Sequence, residues 1–456
     1  MNRRQALQQL GCGFGLLGLA KTLEGATSNP LAVRAPHFTP KAKHVIFLYL
    51  NGGVSQVDTF DPKPELTKHH GEAMPGPKIK TDRASGNLMR SPFGFRKYGQ
   101  SGIEISDIFP QVGASIDDFC VIRSMYSDIG NHGPSMFMMN CGHQLAGRPS
   151  MGAWVTYGLG TPNQNLPGFV VLCPGLPVMG PQLWSSAFLP NSYQGTYIQN
   201  GERDIDKLLQ NIRNSSLSKP EQERQLNLLD RINHLYVDQS GGDSQIEAGI
   251  QAMEVAFRMQ TEAPEAFDVT KEPETVRSSY GDSDFGRGCL MARRLVERGV
   301  RMVQVYFGHF QPWDSHDDIQ AHARLARQAD PAIASLVRDL KSRGLLNETL
   351  VIVGSEFGRT PMIQNSGLEK LGNGRDHNVN GFSILLAGGG VHGGMTYGAT
   401  DDFGFRAVEN RTHVHDLHAT ALHLLGLDHK RLTYRYSGRD FRLTDVHGNV
   451  IQEILA

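Results

Sequence analysis

The stretch Thr349–Gly354 constrains this chain more than any other. Thr349-Leu-Val-Ile-Val-Gly354 is a short aliphatic, β-branched run without alternation, the pattern of a strand buried on both faces of a parallel sheet. It runs out into Ser355-Glu356-Phe357-Gly358-Arg359-Thr360-Pro361. Gly374-Arg375-Asp376-His377-Asn378 then follows before the next apolar run, Phe382–Ala387. In open α/β sheets, ligands bind beyond the carboxyl ends of the strands. A carboxylate, an arginine and an Asp-His pair therefore stand where chemistry is expected.

His44–Leu50, Phe119–Arg123, Phe169–Leu172 and Val300–Phe307 read as further buried strands. Helices are expected over Pro110–Ile116, Pro134–Asn140, Asp284–Arg298 and Ile319–Arg343, with proline well suited to a first helical position. Strands alternating with helices predict an α/β fold, its mostly parallel sheet covered on both faces. His44–Leu50, Val300–Phe307, Thr349–Gly354 and Phe382–Ala387 are the expected neighbouring core strands. The segment 203–261 is polar, with helical spacing at Leu226, Leu229, Ile232 and Leu235, and reads as a helical insertion in a single domain over residues 28–456. The 51 glycines and 23 prolines imply long ordered loops, because 39% hydrophobic residues can build a substantial core.

Charge is balanced, 45 Lys+Arg against 46 Asp+Glu, which gives no electrostatic ground for binding nucleic acid or an anionic membrane surface. Asn2-Arg3-Arg4-Gln5 precedes an apolar stretch, and small residues at Gly25-Ala26-Thr27-Ser28 offer a cleavage site. This reads as a twin-arginine export signal over residues 1–27, which makes the twin-arginine machinery a partner and the periplasm or exterior the destination. The apolar run is too short for a permanent membrane span. Of five cysteines, Cys12 lies in this signal, while Cys120 and Cys173 sit in strand-like runs and read as buried free thiols.

Four polar loops follow expected strands: Asn51–Ser55, Asp128–Ser135, His309–Asp318 and Ser355–His377. Asp314-Ser315-His316 offers an oxygen and a nitrogen ligand side by side, and His377 a third. Mixed carboxylate–imidazole sets suit zinc, manganese or iron. The alternative is that Asp314 or Ser315 caps the following helix. Many of the 18 histidines fall between His309 and His429, which favours metal or acid–base chemistry there. Arg359 beside Glu356 could form a planar fork for phosphate or sulfate, or a structural ion pair. Gly388-Gly-Gly-Val-His-Gly-Gly394 could cradle a phosphate or make tight turns. His413-Val-His415-Asp416-Leu417-His418 reads first as a helix cap.

The order of motifs along the chain is specific. Asn51-Gly-Gly-Val-Ser-Gln-Val-Asp-Thr-Phe-Asp-Pro-Lys-Pro64, Trp313-Asp-Ser-His316, Ser355-Glu-Phe-Gly-Arg-Thr-Pro361, Gly374-Arg-Asp-His377, Gly388–Gly394 and Asp416-Leu-His-Ala-Thr-Ala421 carry it. Over nearly its exported length the chain resembles the exported family catalogued as domain of unknown function 1501. That family is similar to a divergent branch of the alkaline phosphatase and sulfatase superfamily. The resemblance implies a three-layer α/β/α sandwich with a metal site at the strand ends. It also exposes departures from the active pattern. Asn51 stands where a metal-binding Asp is usual, and Glu356-Phe357 where Asp-His is usual. His132 lies near the place of a Ser, Thr or Cys-derived nucleophile.

On this resemblance Asp314, His316 and His377 hold a metal, with Glu356 and Asn51 as further ligand positions. Arg359 takes the anion, and His132 serves as nucleophile or general acid–base group. The cofactor expected is a divalent metal ion, with zinc, manganese and calcium the candidates. The expected activity is exported, metal-dependent hydrolysis of a small phosphate or sulfate ester. The other reading is a catalytically reduced binding or accessory protein on the same scaffold, working in exported polysaccharide metabolism.

Overall fold

Strand β1 (His44–Tyr49) is buried at every residue, as its unbroken apolar composition requires of a strand covered on both faces. Val45, Phe47 and Tyr49 enter one hydrophobic core, while Ile46 and Leu48 enter another. The computed structural model describes residues 30–76, 81–209, 220–221, 224–225, 227–228, 262–365 and 371–456. The expected export signal, 1–27, lies outside these residues, as does most of the expected insertion at 203–261.

From β1 the chain runs through α1 (Gln56–Thr59), β2 (Ser85–Leu88), β3 (Phe119–Tyr126), α2 (His132–Cys141), α3 (Met151–Leu159), β4 (Phe169–Leu172) and β5 (Thr196–Ile198). It continues through α4 (Asp284–Glu297), β6 (Met302–Tyr306), α5 (Ala321–Ser342), β7 (Thr349–Gly354), β8 (Gly358–Asn365) and β9 (Leu371–Asn378). The last elements used here are β10 (Phe382–Ala387), β11 (Met395–Tyr397), β12 (Thr412–His413) and α6 (Val414–Leu424). A nine-stranded sheet has the order β11-β3-β10-β7-β1-β6-β4-β5, with β12 also on β3. The four expected core strands are the consecutive run β10-β7-β1-β6. Helices α4 and α5 fill the core on one face; α2, α3 and α6 fill the other. The result is a three-layer α/β/α sandwich with a mostly parallel sheet.

One strand is reversed. β10 pairs antiparallel with both β7 and β3, while the other pairings of this sheet are parallel. Its beginning therefore lies beside the carboxyl ends of its neighbours, so Asp376 to Asn378 reach that edge. Its end lies at the opposite edge. There Gly388 and Gly389 have φ of +67° and +57°, and a Cβ on Gly388 would stand 2.3 Å from the Leu346 carbonyl oxygen. That segment is a tight turn against the start of β7, far from any strand-end site, and the phosphate-cradle reading has no place there.

The segment 355–377, read as a loop, contains a hairpin. β8 and β9 pair antiparallel, with Arg359 opposite His377, and β2 adds a third strand. Helix α2 begins at His132 rather than Pro134, placing His132 on its first turn. Pro134 is tolerated there because first-turn N–H groups have no intrahelical acceptor. At the far end of α2, His418 Nε2 donates to Met139 O and His415 Nε2 to Gly142 O, both at 2.8 Å. His413 caps α6 in a capping box with Asp416. The histidine run thus fastens two helices together. Cys120, Cys141, Cys173 and Cys289 are free and buried.

Candidate metal centre

Three segments bring four side chains to the carboxyl edge of the sheet. His132 comes from the start of α2, Asp314 and His316 from the loop after β6, and His377 from β9. The turn after β1 closes against them. Gly52 sits there at φ +121°, and a Cβ would stand 2.6 Å from the Asp314 backbone nitrogen, so no other residue fits without displacing the loop.

Asp314 is the hub. Its Oδ1 lies 2.8 Å from His316 Nε2, 3.3 Å from His132 Nε2 and 3.6 Å from His377 Nε2. One ligand atom from each of the four residues lies within 4.8 Å of every other. The outer ring nitrogens face acceptors. His132 Nδ1 is 2.6 Å from Glu356 Oε1, and His316 Nδ1 is 2.5 Å from Gln364 Oε1. His377 Nδ1 lies 3.5 Å from Asp82 Oδ2.

A carboxylate or amide oxygen can only accept, so His132 and His316 carry their protons on Nδ1 and turn Nε2 lone pairs inward. The inner nitrogens of all three histidines are buried without a hydrogen-bond partner. Lone pairs facing a carboxylate repel unless positive charge stands between them. Imidazoles that donate outward to a carboxylate or amide and offer Nε2 inward are the arrangement of metal-ligating histidines. The residues fit a metal ion.

The electrostatics agree. Burial alone would raise the pKa of Asp314, but the three imidazoles gathered around its Oδ1 and the Arg359 charge hold it far below the carboxylate range. Burial opposes the charged form of His132, yet Asp314 and Glu356 outweigh it and raise its pKa. His377 is shifted down, by burial first, and by Arg359 and the neighbouring histidines against the pull of Asp314. An anionic oxygen is thus held ionised among imidazoles.

The other expected site residues stand around this group. Glu356 is fully buried behind His132 and also accepts from Gly52 N–H at 3.0 Å. Asn51 directs Nδ2 to Gly308 O at 3.0 Å and Phe310 O at 2.6 Å, which ties it to the loop after β6. Arg359 is enclosed. It donates to Gly53 O at 2.9 Å, Arg375 O at 3.2 Å, the Gly52 carbonyl and Asp314 Oδ1 at 2.6 Å, leaving no fork open for phosphate or sulfate. No pattern in the sequence points to Gln364, which lies on β8, or to Asp82, which precedes β2.

Glu356→Ala should lower affinity for added zinc or manganese about 10–100-fold, the usual effect of removing an outer partner of a ligating histidine. Glu356→Gln keeps an acceptor for the Nδ1 proton and should lose less. Competition with a chromogenic chelator measures both, and unchanged affinity in the alanine variant would detach Glu356 from the centre.

Fold and side chains together define a three-layer α/β protein with a candidate three-histidine, one-aspartate metal centre. The chain belongs to the family described as "Protein of unknown function (DUF1501)", whose model matches residues 42–455. No curated protein matches it. Among solved structures it is similar to the lipoteichoic acid synthase LtaP from Listeria monocytogenes, at 9% identity and TM-score 0.37, covering 93% of this chain and 80% of that one. It is also similar to the PsFucS1 sulfatase from Pseudoalteromonas sp., at 14% identity and TM-score 0.33, covering 90% and 70%. A third is the phosphonate monoester hydrolase of Agrobacterium radiobacter, at 11% identity and TM-score 0.35, covering 85% and 74%. Likenesses at this level assign no activity to the chain.

Proposed function

We propose that His132, Asp314, His316 and His377 hold one divalent transition-metal ion, and that the protein hydrolyses phosphate or sulfate esters with it. The observation that carries this reading is the set of three buried, unpartnered imidazole nitrogens around one carboxylate. Three nitrogen donors disfavour calcium, which takes oxygen ligands, and favour zinc, iron or manganese. Four side-chain ligands would saturate a tetrahedral zinc, so an ion that accepts further ligands suits catalysis better. When bound, such an ion supplies Lewis-acid polarisation of the ester.

The chain's own residues do the positioning. Glu356 and Gln364 fix two imidazole rings, and Arg359 keeps Asp314 ionised and oriented. The Asp314 side chain is 22% exposed, so the group is open to solvent on that side. The nearby serine hydroxyls are committed elsewhere: Ser55 to Asp58, Ser135 to the Ile129 carbonyl and Ser315 to His322. Water is therefore the nucleophile of this reading. Its oxygen bonds to phosphorus or sulfur, the ester bond breaks, and one water proton ends on the departing alcohol.

The test is a panel of aryl phosphates and sulfates assayed with protein loaded with zinc, manganese or iron(II). Turnover that disappears with a chelator and returns with metal is the expected result. Stoichiometric metal without turnover would favour a binding or accessory protein, a reading supported by the enclosure of Arg359. We place the reaction outside the cytoplasm, reached through the twin-arginine machinery. Arg3→Lys with Arg4→Lys should then trap the precursor in the cytoplasm on cell fractionation, and normal periplasmic accumulation would remove that assignment. Among the described residues no helix is long and apolar enough to cross a membrane.

A further inference from the structure

Arg287 is a buried cation whose charge no carboxylate meets. It stands near the start of α4 and is 9% exposed. Among the described residues its acceptors are two backbone carbonyls, of Asn200 at 2.9 Å and of Glu202, and both take protons from Nη1. Nε and Nη2 are left without an acceptor. The nearest acidic groups are turned elsewhere. Asp284 takes the Arg203 guanidinium at 3.2 Å, Glu202 accepts from Asp204 N–H at 2.9 Å, and Asp268 accepts from Thr270 N–H at 3.0 Å. A buried charge without a counter-ion is costly to fold around, and a bound anion offsets that cost.

The open edge of Arg287 borders a cavity of about 380 Å³ that Arg203 and Arg277 line as well. Arg277 comes from the short helix Glu274–Ser279. Its Nη2 meets Glu274, but its Nε is buried without a partner. Burial first, and then the Arg203 charge, lowers the pKa of Arg287, so the gathered cations disfavour one another. The other carboxylates on the wall do not relieve this. Asp282 is fully exposed and Glu274 is 74% exposed, each paired with an arginine at the solvent side. Ser283, which begins the 14-residue α4, also lines the cavity and brings the positive pole of that helix to it.

Nε and Nη2 lie on one edge of a guanidinium, the edge that grips two oxygens of a single oxyanion. The volume suits more than a bare ion, and Ile205, Val269 and Leu290 supply an apolar wall for a small organic body. We propose that this cavity binds a small organic oxyanion, a carboxylate or a phosphate, through the open edge of Arg287 and the Nε of Arg277. The site shares no residue with the metal centre and does not rest on the ester reading.

The experiment is titration calorimetry of the full chain with inorganic phosphate and with succinate, in a chelator that keeps anions from a metal-loaded centre. Wild type should bind one equivalent of at least one of them. Tighter phosphate assigns a phosphorylated ligand, and tighter succinate a carboxylate. Arg277→Met should weaken the tighter anion about 10–100-fold, the loss of one charge-assisted hydrogen bond. Its melting temperature should stay unchanged, because that side chain is 38% exposed and pairs with Glu274 alone. Arg287→Lys keeps the charge but loses the planar edge, and should weaken binding by a similar factor. Should Arg287→Lys fail to fold, Arg277→Met still decides. Neither anion bound by wild type, or full affinity retained in Arg277→Met, would overturn the proposal and leave the metal centre untouched.

Discussion

Asp314→Asn should yield folded protein whose affinity for zinc or manganese is at least about 100-fold below wild type, more than the loss of an outer partner produces. Asp314 is the one carboxylate in the group, and its removal acts twice. It takes away the anionic ligand, and it leaves the enclosed Arg359 guanidinium, now 2.6 Å from a neutral amide, facing any incoming cation. Asparagine keeps the volume, so the loss is electrostatic rather than steric. Elemental analysis of wild type and variant after equal exposure to metal decides it. A full equivalent of tightly held ion in the variant would mean that the imidazoles bind without Asp314, or that the ion sits elsewhere.

Asp58→Ala should destabilise the fold by about 3–5 kcal/mol, the cost of stranding a buried charge. Arg375 and Asp58 are both fully buried, with Nε to Oδ2 at 2.7 Å and Nη2 to Oδ1 at 3.1 Å. Without Asp58 the guanidinium keeps only the Met89 and Thr360 carbonyls. Arg375 lies on β9 two residues before His377, so the metal centre should loosen as well. Replacing both partners with apolar residues, Asp58→Leu with Arg375→Met, should recover much of the loss, because no charge is then left in the interior. Urea denaturation measures all three proteins. A loss below about 1 kcal/mol for the single variant would mean that water reaches the guanidinium.

The strands of the sheet core were legible because burial on both faces leaves a mark that survives in one dimension. His44–Tyr49 and Thr349–Gly354 are apolar without interruption, and their neighbours in space are the other runs of that kind. Asp314, His316 and His377 were legible as strand-end residues for the same reason. The hairpin was not. Its buried positions include Arg359, Gln364, Arg375 and Asp376, so burial there falls on polar side chains and leaves no apolar run, and the segment reads as loop. The fate of Arg359 was equally hidden. Its donors go to Gly52 and Gly53, more than 300 residues away in sequence, and only the assembled turn shows that the fork is already filled. The helix expected over Pro134–Asn140 begins two residues earlier, at His132, and nothing in the sequence sets the His132 ring against Glu356. Gln364 and Asp82 carry no local pattern at all; their positions depend on how β8, β9 and the segment before β2 come together.

The position of β1 has a consequence for how the chain is made. Its two neighbours are β6 and β7, with Val45 paired to Met302 and His44 to Thr349. At about 5–20 residues per second, roughly 15–60 s separate the synthesis of β1 from that of its second partner. During that interval a strand with no polar face has no sheet to join, and the pairing that buries it carries a high contact order, which slows folding. The nascent amino-terminal half should therefore depend on a holding chaperone until the last third of the chain is synthesised.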